Sequence, residues 1–136
     1  MNAKMIVCAL PYSGDDALLV KYRDMPDHQS GWFVPHVMLN EKEHPGDAAK
    51  RTLFDQFGLA DAKPKFSHFE SFTGRDGSWH LIFHFKAQFR DRELPAKSNT
   101  LAAAQWFGRN QLPPTDEISH HGWAADIVQR CFADPE

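Results

Sequence analysis

The chain has 136 residues, 42% of them hydrophobic, which predicts one domain over residues 1–136 with a real core and leaves too little chain for two. Its formal net charge of −3 and pI near 6.2 provide no basic field, so nucleic acid and anionic membranes are not expected partners and a small molecule is favoured. The apolar run Met5–Leu10 ends at Pro11 and is too short for a signal peptide or a membrane span, so a cytoplasmic protein is expected.

Two pairs of strands are predicted, one near the start of the chain and one past its middle. Apolar runs at Met5–Leu10 and Ala17–Tyr22 flank a turn-rich cluster, which predicts neighbouring strands. Lys65–Phe72 and Ser78–Arg90 flank an Asp-Gly pair at 76–77, which is typical of a hairpin.

The second arm of this hairpin alternates in polarity. Its aromatic residues share one parity, whereas His80 and His84 take the other, and this period of two predicts a half-buried strand. Both histidines are therefore expected at the surface or on a pocket wall. At the rise of a strand they lie roughly 13 Å apart, too far to share one metal ion.

The first helix is predicted over Asp47–Phe57, with Gly58 as its C-terminal stop. Its apolar residues recur every fourth position and define the face that packs on the sheet. At 100° per residue, Thr52, Asp55 and Gln56 then fall together on one flank beside that face.

The end of the chain carries a second helical pattern. Apolar residues at helical spacing predict a helix from about Ser119 to Phe132. Cys131 lies in this helix and Cys8 in the first strand, and the two show no metal-type spacing. Because both stand in apolar neighbourhoods, buried reduced thiols are expected rather than a disulfide.

One sequence motif fits the stretch 37–59. The matching residues fall in a single register of the pattern G-x5-E-x7-R-E-U-x-E-E-x-G-U, where U is a bulky aliphatic residue: Glu43, Arg51, Leu53, Gly58 and Leu59. The stretch resembles the box of the Nudix hydrolases, and flanking residues from Trp32 to Leu112-Pro113 extend the resemblance over most of the chain. The box is degenerate, since the family's Gly, Glu, Glu and Glu are replaced by Val37, Thr52, Asp55 and Gln56.

The resemblance implies an α/β fold, the Nudix-type α/β/α sandwich with a mixed central sheet and a loop–helix–loop box. It also implies a pyrophosphohydrolase of a nucleoside diphosphate linked to another moiety, in which glutamates of the box helix hold Mg²⁺. Asp55 would then be the principal acid with Gln56 beside it, and the metal ligands would be Asp55, Thr52, Gln56 and Glu43. With so few carboxylates, Mg²⁺ or Mn²⁺ would bind weakly and arrive with the substrate.

Structural interpretations stand beside these roles. In the family, the counterparts of Glu43 and Arg51 mainly form a pair that fixes the loop against the helix, and Gly58 ends the helix. Asp55 can equally be a solvated helix carboxylate, because such residues are common on exposed helix flanks.

His120 and His121 precede Gly122-Trp123 at the start of the predicted last helix, near where the resemblance places the rim of the nucleotide cleft. A neutral histidine there can replace the missing glutamate as general base, and His121 is the candidate. The GDP-mannose hydrolases, a Nudix branch with an altered box, use such a histidine and attack carbon. The alternative is that both histidines cap or pack the helix. His120, Arg23, Trp32 and His36 are candidates for substrate contact, although Trp32 suits a core anchor and Arg23 an exposed strand end.

Two functions stay open at this point. One is a weak or non-standard hydrolase, and the other is a catalytically silent Nudix domain that binds a nucleotide or a protein partner. Loss of two box acids favours the second, whereas survival of Gly58, Arg51, Glu43 and one acid favours the first, and the hydrolase is the preferred prediction. The expected small-molecule partner is a nucleotide diphosphate derivative. The resemblance is also compatible with a homodimer, the state of many family members.

Overall fold

The computed structural model describes residues 3–26, 29–74, 76–93 and 98–133. Its strands are β1 (Ala3–Ser13), β2 (Asp16–Tyr22), β3 (His36–Met38), β4 (Lys65–Thr73), β5 (Trp79–Gln88) and β6 (Leu101–Gly108), and its helices are α1 (Pro45–Phe57) and α2 (Ser119–Ala133). They build a six-stranded sheet in the order β4-β5-β1-β2-β6, with β3 paired to β1 off this path. No helix in the described ranges is both long and apolar enough to cross a membrane.

The sheet is mixed, as the fold prediction required. β1 pairs with β2 and β4 pairs with β5, both antiparallel, which confirms the two predicted strand pairs. The pair at the centre of the sheet is parallel, because β5 runs alongside β1 in one continuous register from Ala3 opposite Trp79 to Tyr12 opposite Gln88. The short β3 was not predicted, and its three residues pair antiparallel with β1.

Each face of the sheet is covered by one helix. The α1 residues Ala49, Leu53 and Phe57 are fully buried, which confirms the predicted apolar face. They pack with one set of sheet residues, whereas α2 packs with the set on the other face, which includes Cys8. Cys8 and Cys131 are buried and free, as predicted. Two helical layers on a mixed sheet make the α/β/α sandwich.

The prediction of a half-buried β5 was wrong. Both parities carry buried residues in its second half, because α1 covers Phe85 and α2 covers the opposite face. On that second face His84 is 0% exposed and Lys86 is 4% exposed. Lys86 donates from Nζ to the Cys131 carbonyl at 3.0 Å, so its charge is satisfied by the end of α2. A polar residue on one parity of a strand therefore does not mean a solvated face.

The start of α2 also differs from the prediction. His120, His121 and Gly122 have left-handed backbone angles, with φ of 55°, 59° and 88°, so the regular helix begins only at Trp123. The chain just before this point is tied to the loop at Gly31, where Ser119 Oγ donates to the Gly31 carbonyl at 2.8 Å. A Cβ on Gly31 would lie 2.7 Å from the Ser119 nitrogen, so the two segments can meet this closely only at a glycine. The left-handed turn then redirects the chain from that strand-like contact into the helix.

Candidate functional site

Glu43 and Arg51 hold the box loop against α1. Arg51 donates from Nε to Glu43 Oε2 at 2.9 Å and from Nη2 to Glu43 Oε1 at 3.0 Å, a bidentate pair. The same Nη2 donates to the Met38 carbonyl at 2.8 Å, and Glu43 Oε1 also accepts the Asn40 N–H at 3.0 Å. Hydrogen bonds from Arg51 first, and from Asn40 second, lower the pKa of Glu43 below its ordinary value. Every one of these contacts spans the loop before the helix, which supports the loop-fixing interpretation of the pair.

Two of the residues at the family's acid positions are buried and engaged within the protein. Thr52 is 0% exposed, and its hydroxyl donates to the Ala48 carbonyl one turn earlier at 2.8 Å. Gln56 is 7% exposed. Its Oε1 accepts the Tyr22 hydroxyl at 2.8 Å, and its Nε2 donates to the His36 carbonyl at 3.0 Å. Asp55 alone of the three lies exposed to solvent.

Tyr22 closes a network that the sequence did not indicate. It stands at the end of β2, and its hydroxyl accepts the His36 N–H at 2.9 Å while donating to Gln56. Burial raises the pKa of Tyr22 above its ordinary value, so the phenol stays neutral. The network of Tyr22, Gln56 and the His36 backbone, hereafter the neutral network, joins β2, β3 and α1. The only sequence signal for Tyr22 was a polar aromatic residue ending an apolar run.

The box residues do not fit a magnesium site of the family type. Mg²⁺ requires near-octahedral coordination by oxygen and is usually held by one or more carboxylates. Glu43 is committed to Arg51, the Thr52 hydroxyl to its own helix, and the Gln56 amide to the neutral network. That leaves the Asp55 carboxylate as the one exposed acid among the predicted ligands. We predicted that Thr52 and Gln56 would offer their oxygens to a metal ion on the flank of the helix. Both side chains are instead buried.

An aromatic cluster extends from the neutral network to the start of α2. We define it as Tyr22, Phe33, His36, His120 and Trp123. Ring centroids are 5.0 Å apart for Tyr22 and His36, 5.3 Å for Phe33 and His36, 5.5 Å for Phe33 and His120, and 5.5 Å for Phe33 and Trp123. Phe33 lies at its centre because its backbone pairs with Val20 of β2. The cluster thus brings together two of the predicted substrate residues, His36 and His120.

The surroundings of His36 favour a neutral imidazole with its proton on Nδ1. Burial lowers its pKa below the ordinary value, and the contact with the Val34 carbonyl only partly opposes this. Nδ1 lies 2.9 Å from that carbonyl oxygen, which can only accept, so Nδ1 carries the proton. Nε2 is then left as a hydrogen-bond acceptor on the ring edge.

The remaining predicted residues lie elsewhere. Trp32 is 8% exposed and packs edge-on against Phe107, with Lys21 Nζ 4.8 Å from the centroid of the indole, which supports the core-anchor interpretation. Arg23 and His121 are exposed. Neither of them is joined to the aromatic cluster by the ring contacts that define it.

A cavity of about 870 Å³ opens where β1 and β5 end. It is lined by the loop after α1 and by the ends of β1 and β5, including Tyr12 and Gln88. Four cationic side chains (Lys63, Lys65, Lys86 and Arg90) and three acidic ones (Asp61, Asp91 and Glu93) share its wall. Of the predicted site residues only Gly58 lies on it, so it is separate from the aromatic cluster.

The sandwich, the loop–helix–loop and its Arg51–Glu43 pair together define a Nudix-type domain. A family model described as NUDIX domain matches residues 3–131, and the chain belongs to that family. The chain departs from the family pattern at the three glutamate positions of the box, which hold Thr52, Asp55 and Gln56. A search of curated proteins gives no match.

Solved structures with the same fold have low sequence identity to this chain. A MutT NUDIX hydrolase from Burkholderia pseudomallei has a TM-score of 0.77 and 16% identity, over 96% of this chain and 98% of that one. A NUDIX hydrolase from Nitrosomonas europaea has a TM-score of 0.72 and 18% identity, over 95% and 69%. The NUDIX domain of Shewanella oneidensis NrtR, complexed with ADP ribose, has a TM-score of 0.72 and 15% identity, over 95% and 88%.

Proposed function

We propose that this chain is a Nudix domain that binds a nucleoside diphosphate derivative and does not use its box for Mg²⁺-dependent hydrolysis. The observation that carries the proposal is the neutral network, in which the Gln56 amide is held by Tyr22 and by the His36 carbonyl. A position that in the family supplies a metal-binding carboxylate here ties the box helix to the sheet.

The energetic argument concerns the groups that a metal would displace. To ligate an ion, Gln56 Oε1 would have to leave the Tyr22 hydroxyl, and a buried polar group left unpaired costs about 1–3 kcal/mol. Asp55 is exposed and contributes one carboxylate. A single carboxylate in water gives little net attraction once both ions are dehydrated. The balance favours the network over the ion.

The aromatic cluster is the proposed binding surface. Its outer rings belong to His120 and Trp123, which are half-buried, and Phe72 continues it toward solvent with its ring 5.3 Å from that of Trp123. Partly exposed aromatic rings suit stacking on a planar base, worth about 1–3 kcal/mol per base. The NrtR domain of the same fold is complexed with ADP ribose, and this supports the same class of ligand for this chain.

A hydrolase of the same class of ligand is the second candidate. It is favoured by the exposed Asp55 on the box helix and by the left-handed backbone at His120 and His121. Non-glycine residues in this region cost of order 1–3 kcal/mol each, and such strain concentrates at functional sites. In this candidate a histidine of the turn replaces the absent glutamates as the base.

A paired binding and turnover assay decides between the two candidates. Purified protein is titrated calorimetrically with ADP-ribose, nucleotide sugars and dinucleoside polyphosphates, with either Mg²⁺ or EDTA, and the products are analysed chromatographically. Binding that survives EDTA without product supports the proposal. Mg²⁺-dependent product that disappears in Asp55→Asn, but persists in the control Asp47→Asn at the exposed start of the same helix, overturns it in favour of the hydrolase.

A further inference from the structure

Two histidines and a glutamate meet on the face of the sheet that lies under α2. His84 Nε2 is 2.6 Å from Glu70 Oε1, and His68 Nε2 is 4.0 Å from the same oxygen. The two imidazole rings are stacked with centroids 4.3 Å apart. One ligand atom from each residue falls within 4.8 Å of the others. This cluster, hereafter the His–Glu cluster, belongs to neither the box nor the aromatic cluster.

Strand register places the three side chains together. His68 lies directly opposite His84 in the antiparallel pair of β4 and β5, after a bulge between Phe66 and His68. Glu70 is two residues further along β4, so it projects from the same face as His68. His84 shares its parity with Ile82, which packs in the α2-side core. The cluster is therefore on the opposite side of the sheet from α1.

We propose that the His–Glu cluster is a binding site for a divalent transition-metal ion of the zinc class. Tetrahedral Zn²⁺ with bonds of about 2.0–2.1 Å holds its ligand atoms roughly 3.3–3.4 Å apart. The observed separations of 2.6 and 4.0 Å lie on either side of that value. Shifts of roughly 0.7 Å at these two contacts, with a rotation of one imidazole out of the stack so that both nitrogens point at one ion, would complete three of the four ligand positions.

The donor set selects the class of metal. Imidazole nitrogens with a carboxylate suit Zn²⁺, Co²⁺, Ni²⁺ and Cu²⁺, whereas Mg²⁺ prefers oxygen alone. His68 is further oriented by a contact of 2.9 Å between its Nδ1 and Ser67 Oγ, the kind of supporting contact that ligating histidines use. Glu70 has a side chain 33% exposed, against 6% and 0% for His68 and His84. Solvent therefore reaches the site from the Glu70 side, where a water can fill the fourth position.

His84 faces the cluster with one of its two ring nitrogens. Its Nδ1 is buried and has no hydrogen-bond partner among the described residues. Nε2 is the nitrogen beside Glu70, so it is the atom that would ligate the ion.

A metal titration of the full chain tests the proposal independently of any nucleotide. Chelator-treated protein is titrated with Zn²⁺ by calorimetry and with Co²⁺ by visible absorption. We expect one ion per chain, the absorption bands of tetrahedral Co²⁺, and a Zn²⁺-dependent rise in the melting temperature.

The variants assign the site. Glu70→Gln is the main one, because its half-exposed side chain can be replaced without opening the core, and His68→Gln is the second. Each should weaken Zn²⁺ at least 100-fold and remove the Co²⁺ bands. The matched control is His80→Gln. His80 lies on β5 with the same parity as His84, but its ring stacks on Phe72, so this variant should bind Zn²⁺ as the wild type does. Wild-type protein that fails to bind one ion, or equal binding by wild type and both folded ligand variants, overturns the proposal.

Discussion

The Tyr22 hydroxyl donates to Gln56 Oε1 at 2.8 Å, which links the end of β2 to the box helix. The position of Gln56 carries a glutamate in the family pattern, and a carboxylate there would keep the Tyr22 bond but lose the donor that reaches the His36 carbonyl. The chain has thus replaced a charged group with a neutral one that bonds on both sides. The Tyr22 hydroxyl also accepts the His36 N–H, so the phenol and the amide together join the box helix to β2 and β3.

Replacing Tyr22 with Phe should destabilise the protein by about 1–3 kcal/mol. The change removes one hydroxyl and leaves the Gln56 oxygen and the His36 N–H without partners in a buried place. The free energy of unfolding is measured by urea denaturation. A double-mutant cycle with Gln56→Ala provides the control, since the two losses should be less than additive if the groups interact. Strict additivity would contradict the network.

Gln56→Glu should be destabilising in the absence of metal and should recover stability when Mg²⁺ is added. The new carboxylate faces the His36 carbonyl, an acceptor, where the amide donated at 3.0 Å. A divalent cation bound beside the new carboxylate relieves that repulsion. Melting temperatures with Mg²⁺ and with EDTA measure the effect, and Gln105→Glu, at an exposed site on β6, is the control. A variant as stable as the wild type, with no response to Mg²⁺, would show that the Gln56 amide does not make the bond to the His36 carbonyl.

Arg51→Ala should cost about 2 kcal/mol, between the values typical of exposed and of buried pairs. The Arg51 and Glu43 side chains are 30% and 15% exposed, so the stranded carboxylate is only partly hydrated. The loss of the bond to the Met38 carbonyl adds to the cost. Lys50→Ala, at the exposed neighbouring position, should stay within about 0.5 kcal/mol of the wild type. Equal effects of the two changes in urea denaturation would refute the loop-fixing role.

The same pair predicts a dependence of stability on pH. Hydrogen bonds from Arg51 first lower the pKa of Glu43 in the folded chain. The stabilisation is therefore fully present above the unfolded pKa of a glutamate, about 4.3, and is lost as the pH falls through the lower folded value. The free energy of unfolding should decline more steeply below about pH 4.5 in wild type than in Arg51→Ala. Parallel curves for the two proteins would mean that the pair does not contribute.

Much of the fold was predictable because its signals are local. The strand pairs follow from apolar runs on either side of turn residues, and α1 follows from Leu53 and its apolar neighbours with Gly58 at the end. The burial of His84 was not predictable, because periodicity describes one strand and cannot show that α2 covers its polar face. His68 was missed for a related reason, since a bulge in β4 sets its register against β5.

Of the site, only the ion pair that fixes the box loop was predictable. The motif gave Glu43 and Arg51 the right spacing for a bidentate pair, and the structure contains that pair. The motif is silent about Tyr22, because a hydrogen bond between a strand end and a helix depends on how the two elements pack. Reasoning from helix geometry alone placed Gln56 on an open flank, whereas β2 and β3 close over it.

Asp55→Ala should cost less than about 1 kcal/mol, because the residue is exposed on the box helix. Under the proposed function it should leave the affinity for ADP-ribose unchanged, and titration calorimetry measures that affinity directly. A tenfold or larger loss of affinity that occurs only with Mg²⁺ present would show that Asp55 holds a metal with the ligand.

The two histidines in the left-handed turn at the start of α2 allow a matched test of the aromatic cluster. His120 and His121 have nearly the same left-handed backbone, with φ of 55° and 59°, but only His120 packs against Phe33 and Trp123. Asparagine tolerates this backbone region, so His120→Asn and His121→Asn remove a ring without adding strain. We expect His120→Asn to weaken ADP-ribose binding about tenfold, since one stacking partner is worth about 1–3 kcal/mol, and His121→Asn to bind as the wild type does. The reverse order, or a turnover that disappears in His121→Asn at unchanged stability, would make the exposed histidine the functional one and the chain a histidine-based hydrolase.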